Sequence, residues 1–229
     1  MCSSDLCILA SNHCSLLDPP VLVCPVTHRV VHCLARDTLF RGVGAWLLPR
    51  LGAVPLSRGR GDVGALRKAL GILAQGQVLG LFPEGARSPD GEIRPAKGGL
   101  GFLVSKARAP VVPVYIDGSF AAWPKGAWRP RLHPIRVTYG EAITPAQIAA
   151  HGTTREAYER ISSLVMARIA ALRDDDDGTA MDVPLGERDG AAQDRPPSEP
   201  AVLAVPADDV RHLVAERPRR LEAQVARRL

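Results

Sequence analysis

The chain has 229 residues, 46% hydrophobic and 23% charged, with a formal net charge of +5, which is length and apolar content enough for one large folded domain. Its five cysteines crowd into the first 33 residues at spacings that suggest no disulfide framework, and aromatics are only 4% with no nucleic-acid recognition module in view. No stretch offers 18 uninterrupted apolar residues to cross a bilayer, and "MCSSDLCILA" lacks the basic flank and long apolar run of a secretory signal.

In chain order, "DLCILASNH" begins as an apolar run of strand length and ends in a polar turn. "DPPVL" then reads as a helix start, with Asp18 as N-cap and Pro19 at the first helical position, where its missing N–H costs nothing. "RVVHCLA" is a second short β-branched run. "LFRGVGAWLLPRLG" mixes apolar, aromatic and basic residues before a brief strand, "AVPLSR". In "DVGALRKALGILAQGQ", Val63, Leu66, Leu70 and Leu73 recur at three and four, the period of an amphipathic helix, with Asp62 as its cap. "VLGLF" is apolar throughout, as a strand covered on both faces should be, and breaks at "PEGARSPDG". "APVVPVYIDG" and "IRVTYGEAI" read as two further strands, and Thr153 to Arg173 as a long amphipathic helix.

Strands alternating with helices predict an α/β fold: a single domain over residues 1–173 with a mixed or largely parallel sheet flanked by helices. Residues 174–206 form an acidic, Pro-rich linker that cannot bury enough apolar surface to offset its ordering entropy, and so are expected to be disordered. Residues 207–229 are a basic, partly helical tail.

Charge divides along the chain. Residues 1–150 hold 17 Lys+Arg against 9 Asp+Glu, a balance of +8, and residues 151–229 hold 12 against 15, a balance of −3. A basic front suits a phosphate-bearing partner, whether nucleic acid, anionic membrane or phosphorylated substrate.

"ASNHCSLLDPPV" concentrates candidate chemistry. His13 and Asp18 are five residues apart, roughly 140° round a helix and on opposite faces of a strand, so they can meet only across a turn. The strand, turn and Pro-initiated helix supply one. An Asp carboxylate holding one ring N–H leaves the other nitrogen as a base; the plainer alternative is a cap beside a turn histidine. A second cluster, "LFPEGARS", follows a buried strand, where open α/β sheets place ligands. Gly85 lets backbone approach closely, Arg87 offers a planar fork for phosphate, and Glu84 accepts hydrogen bonds from hydroxyls or holds an arginine. Here the alternative is a solvated Pro-Glu-Gly turn.

Together these stretches resemble the glycerolipid acyltransferase family, which includes the lysophosphatidic acid and glycerol-3-phosphate acyltransferases. Its N-H-x4-D motif is matched by Asn12, His13 and Asp18. The glycine, short strand and arginine of its second motif are matched by Gly52 and Arg58. F-P-E-G-x-R-S is matched at Phe82, Pro83, Glu84, Gly85, Arg87 and Ser88, and V-P-V at Val112, Pro113 and Val114. Four motifs in order over roughly residues 6–145 are far more specific than any one alone. Many members carry apolar anchoring helices ahead of the first motif, which here lies close to the start. Either a shortened reading frame or a form held on the membrane by its surface is expected.

The resemblance implies acyl transfer from acyl-CoA or acyl-carrier protein to a glycerol hydroxyl, with no cofactor and no metal. His13 would be the base and Asp18 its orienter, while Arg58, Glu84, Gly85, Arg87, Ser88 and Lys97 would form the acceptor site. The leading acceptor is 1-acylglycerol-3-phosphate, giving phosphatidate. Glycerol-3-phosphate, another lysophospholipid, a glycolipid precursor or an inactive lipid-binding fragment are the alternatives. A peripheral place on the cytoplasmic face of the cell membrane follows.

Three further features carry competing readings. Cys14 beside His13 could be a nucleophile, but adjacent residues on an extended chain point apart. Cys24, His28, His32 and Cys33 have zinc-like spacings, yet on a strand His32 and Cys33 face opposite ways, which favours a structural role. Trp46, Leu47, Leu48, Arg41 and Arg50 form either an interfacial patch toward anionic lipid or a core-facing helix.

Overall fold

In a computed structural model, the structure describes residues 6–24, 26, 30–56, 61–173 and 180–182. Five short apolar segments pair in parallel: β1 (Ile8–Ser11), β2 (Val31–Arg36), β3 (Ala53–Leu56), β4 (Val78–Leu81) and β5 (Val111–Asp117). β6 (Arg136–Tyr139) and β7 (Ala180–Asp182) add antiparallel, giving one sheet in the order β3-β2-β4-β1-β5-β6-β7. This is the mixed, largely parallel α/β sheet expected. β7 lies within the stretch expected to be disordered; at those three residues the backbone instead pairs with β6, and 183–229 lie outside the described residues.

The central strands are buried on both faces, which explains their unbroken apolar runs. On one face Ile8, Ala10, Leu79 and Val111 meet α3 (Gly61–Ala74), α4 (Leu100–Ala107) and α7 (Arg155–Ala171), through residues such as Leu73, Leu103, Ile161, Val165 and Ile169. On the other face Leu9, Val31, Val114 and Val137 pack with Leu22 of α1 (Asp18–Val23). Full burial of a Leu, Ile or Val side chain contributes about 1.5–3 kcal/mol, so these layers dominate the stability.

α7 follows its cap, Thr154, whose hydroxyl accepts the Ala157 N–H at 3.2 Å. α3 begins at Gly61, one residue before the expected cap Asp62. α2 (Val43–Arg50) carries Pro49 in its last turn, where its missing N–H removes one internal bond and the helix ends at the next residue. Two further helices arise in stretches assigned to no element from the sequence. α4 is buried from Leu100 to Val104 between α3 and α7. α6 (Pro145–Ala149) starts from a Thr144/Gln147 capping box. A short helix, α5 (Ser119–Ala122), follows β5.

β1 is flanked by β4 and β5, and all three run the same way. Their carboxyl ends therefore open on one edge of the sheet at a point where the chain order reverses, the usual ligand position in open α/β sheets.

Candidate active site

His13 leaves the carboxyl end of β1 and turns back onto the first helical residue, Asp18. The ring Nδ1 lies 2.8 Å from Asp18 Oδ2. The same oxygen accepts the backbone N–H of Cys14 at 2.6 Å and of Ser15 at 2.7 Å. With two backbone N–H groups already donating to it, Oδ2 is the acceptor for the ring as well, so Nδ1 carries the proton and the basic lone pair sits on Nε2. Nε2 has no partner among the described residues. Asp18 is thus not the N-cap expected; Leu17 occupies that position, and the carboxylate points backward to close the turn that presents the histidine.

The ring is held from its face as well. Phe82 stacks on it with centroids 4.3 Å apart and planes 25° from parallel. Behind it, Asn12 bridges β1 to β5: its amide donates to the Ile116 carbonyl at 2.9 Å and its Oδ1 accepts the Ile116 N–H at 2.8 Å. These two roles, ring support by Phe82 and strand clamping by Asn12, join residues far apart in sequence and have no signal beyond the motifs themselves.

The second cluster meets the first through backbone. The His13 N–H donates to Glu84 Oε1 at 3.0 Å, and the Ser88 N–H donates to the His13 carbonyl at 2.7 Å. Arg87 is half-buried between these two attachment points and makes no hydrogen bond or ion pair among the described residues. Burial pushes the Glu84 carboxyl from 4.5 up to about 7, opposed by the backbone N–H groups of His13 and Arg94. Its Oε2 is buried and has no hydrogen-bond partner among the described residues.

Gly85 adopts φ +65°, and a Cβ there would stand 2.6 Å from Lys97 Cδ. The lysine stem therefore covers the glycine, and the Lys97 N–H donates to the Pro83 carbonyl at 2.9 Å. Hydrogen bonds and packing thus bring His13, Asp18, Glu84, Gly85 and Lys97 together, and Arg87 lies on the turn that Glu84 and Ser88 fasten to His13. Ser88 departs from its expected substrate contact. It is fully buried, and its hydroxyl donates to Asp90 at 2.7 Å while accepting the Gly91 N–H at 3.1 Å, so it builds the turn. Gly52, at φ +74°, precedes β3, whereas Arg58 and His28 lie outside the described residues.

Cys14 is buried, with its Sγ 3.5 Å from the Gly91 carbonyl. Burial, then the charges of Asp18 and Glu84, push its thiol up to about 12, so it is protonated near neutrality and a poor nucleophile. Among the described residues no group of three or more His, Cys, Asp or Glu could hold a metal ion.

The family model described as Acyltransferase matches residues 3–117, half of the chain. A chloroplastic 1-acyl-sn-glycerol-3-phosphate acyltransferase of Brassica napus is 33% identical over 129 residues, covering 55% of this chain and 37% of its own length. The chain therefore spans well under two thirds of that relative. A 1-acyl-sn-glycerol-3-phosphate acyltransferase of Bacillus subtilis is 23% identical over 72% of this chain and 80% of its own. The crystal structure of the 1-acyl-sn-glycerophosphate acyltransferase PlsC from Thermotoga maritima superposes with a TM-score of 0.59 and 28% identity, over 74% of this chain and 67% of that one.

Proposed function

This chain belongs to the acyltransferase family, and from that premise we propose that it moves a fatty acyl group from a thioester to the free hydroxyl of 1-acylglycerol-3-phosphate, giving phosphatidate. The donor is acyl-CoA or acyl-carrier protein. The observation that carries the reading is the His13–Asp18 pair at 2.8 Å with Nε2 unpartnered among the described residues, fastened to the turn that carries Glu84 and Arg87.

Nε2 takes the hydroxyl proton as the oxygen attacks the thioester carbonyl, and Asp18 stabilises the imidazolium that forms. The tetrahedral adduct collapses, the C–S bond breaks, and the imidazolium returns its proton to the departing thiolate. Ester and free thiol result, and the histidine is regenerated. General-base help of this kind contributes about 10²–10⁴-fold. The thioester supplies the activation, so the scheme draws on no cofactor and no protein nucleophile.

Arg87, Lys97 and Arg58 take the acceptor phosphate, Gly85 leaves room beside them, and Glu84 receives the glycerol hydroxyls. Holding donor and acceptor in register contributes up to about 7–11 kcal/mol, more than the base alone.

The lipid acceptor implies work at an anionic membrane surface, on the cytoplasmic face. No helix among the described residues is long and apolar enough to cross a membrane. Trp46 is 60% exposed on α2, with the Arg50 guanidinium 4.3 Å from its ring centroid, which supports the interfacial reading of that helix over a core-facing one. Acyl transfer to a panel of lysophospholipid and glycerol-3-phosphate acceptors tests the function. Transfer to lysophosphatidate that is lost in His13→Ala is expected; a protein inactive on every acceptor would overturn it.

A further inference from the structure

β5 and β6 are joined by a segment that the acyl-transfer site does not use. Between Gly118 and Gly140 the sequence contains no Asp or Glu, while Lys125, Arg129 and Arg131 are exposed and pair with no acid among the described residues. In the same segment Trp128 is 82% exposed and Leu132 fully exposed. The Arg129 guanidinium lies 4.5 Å from the Trp128 ring centroid, repeating the Trp46–Arg50 arrangement on α2.

These side chains stand on a braced loop. The Ala127 N–H donates to the Pro124 carbonyl at 3.1 Å, the Trp123 indole N–H to the Ala127 carbonyl at 2.9 Å, and the Arg131 N–H to the Ala122 carbonyl at 2.7 Å. Pro124, Pro130 and Pro134 fix further backbone angles. A loop already ordered loses little conformational freedom when it binds. Single exposed apolar residues are ordinary. Two of them four residues apart, interleaved with unpaired cations, on a rigid acid-free projection, match the chemistry of a lipid headgroup layer: apolar tips enter it and arginines meet its anions.

The loop is also wired to the site. The Ser15 hydroxyl donates to the Trp123 carbonyl at 2.9 Å, and the Ser15 N–H donates to Asp18 Oδ2, the oxygen that holds His13. In the sheet order β2-β4-β1-β5, the segment leading to α2 departs from the carboxyl end of β2 and this loop from that of β5. The two flank the β4–β1 site, three strand spacings or roughly 14 Å apart.

We propose that residues 123–135 are a membrane-docking loop for anionic lipid surfaces, which with α2 straddles the catalytic edge and presents it to the bilayer. The proposal rests on the reading that the acceptor is a lipid, and its test separates the two. The full chain is floated with vesicles of phosphatidylcholine and phosphatidylglycerol in equal parts, and with phosphatidylcholine alone. Acyl transfer is measured in parallel on a short-chain, monomerically soluble lysophosphatidate.

The double substitution Trp128→Ser with Leu132→Ser is expected to weaken partitioning into the mixed vesicles by roughly tenfold or more. Arg129→Ser with Arg131→Ser is expected to reduce the preference for phosphatidylglycerol. Both variants should keep wild-type transfer to the soluble acceptor. Wild-type flotation by the apolar variant would overturn the proposal, as would a wild type that binds neither vesicle. A matching loss of transfer to the soluble acceptor would make the loop part of the site instead. If the arginine variant keeps its vesicle binding but loses binding to an acidic acyl-carrier protein, the loop serves a protein and not a bilayer. Absence of transfer by the wild type would fail the functional reading while leaving the flotation result intact.

Discussion

The backbone N–H of His13 donates to the side chain of Glu84, 71 residues later, at 3.0 Å, so the proposed base and the proposed acceptor site share a hydrogen bond. That contact places a carboxyl where water is scarce. Its protonation therefore affects folding as well as binding.

Because burial raises the Glu84 pKa from 4.5 to about 7, the folded state prefers the neutral carboxyl. The stability it contributes is full below about pH 4.5 and is lost as pH rises through 7. At most this amounts to about 3 kcal/mol, since each pKa unit corresponds to about 1.4 kcal/mol. Glu84→Gln keeps a neutral acceptor at every pH. The melting temperature of the variant should gain on the wild type between pH 5 and about 8; a difference constant with pH would refute the assignment.

Asp18→Asn keeps the shape of the side chain but removes the charge that supports an imidazolium. With three donors converging on Oδ2, the expected loss is about 10²–10⁴-fold in kcat, with the acceptor KM little changed. Steady-state kinetics on purified protein checks this, and a kcat within a factor of about three of wild type would count against the dyad.

Arg87 stands between the two points that fasten its turn to His13, with its guanidinium unpaired among the described residues. Removing a charge-assisted phosphate contact costs about 1.5–3 kcal/mol, so Arg87→Ala should lower kcat/KM roughly 10- to 100-fold. A raised acceptor KM and a lower kcat are both expected, because the phosphate clamp also sets register. Unchanged kinetics would remove Arg87 from the acceptor site.

Cys14→Ser distinguishes a structural thiol from an acyl carrier. The buried thiol rests against the Gly91 carbonyl, and a hydroxyl can make the same contact. Activity within a few-fold of wild type is expected; loss of transfer with an intact fold by circular dichroism would reopen the covalent route.

Gly101 lets α4 and α7 touch backbone to backbone: a Cβ there would overlap the Tyr158 carbonyl, and the Gly101 N–H donates to Ser162 Oγ at 3.0 Å. Gly101→Ala should therefore destabilise the fold by about 1–3 kcal/mol through overpacking. Urea unfolding reads the effect directly, and an unchanged midpoint would show that the helices can part without cost.

Much of this was legible in the chain alone. Strand length and apolar runs located β1, β4 and β5, the 3–4 periodicity located α3 and α7, and the motif spacing named His13 and Asp18, because each of those signals is local and governed by backbone geometry and solvent exposure. Other features depended on what comes together in space. The Phe82 ring under His13 and the Asn12 clamp on Ile116 need partners from separate strands. The reassignment of Ser88 to its own turn reflects burial. α4 is a short helix of eight residues opened by glycines, and its burial between α3 and α7 depends on where those two helices lie. A sequence determines which groups are chemically competent; the pairing order of the sheet decides which of them meet, since that order sets whose carboxyl ends share an edge.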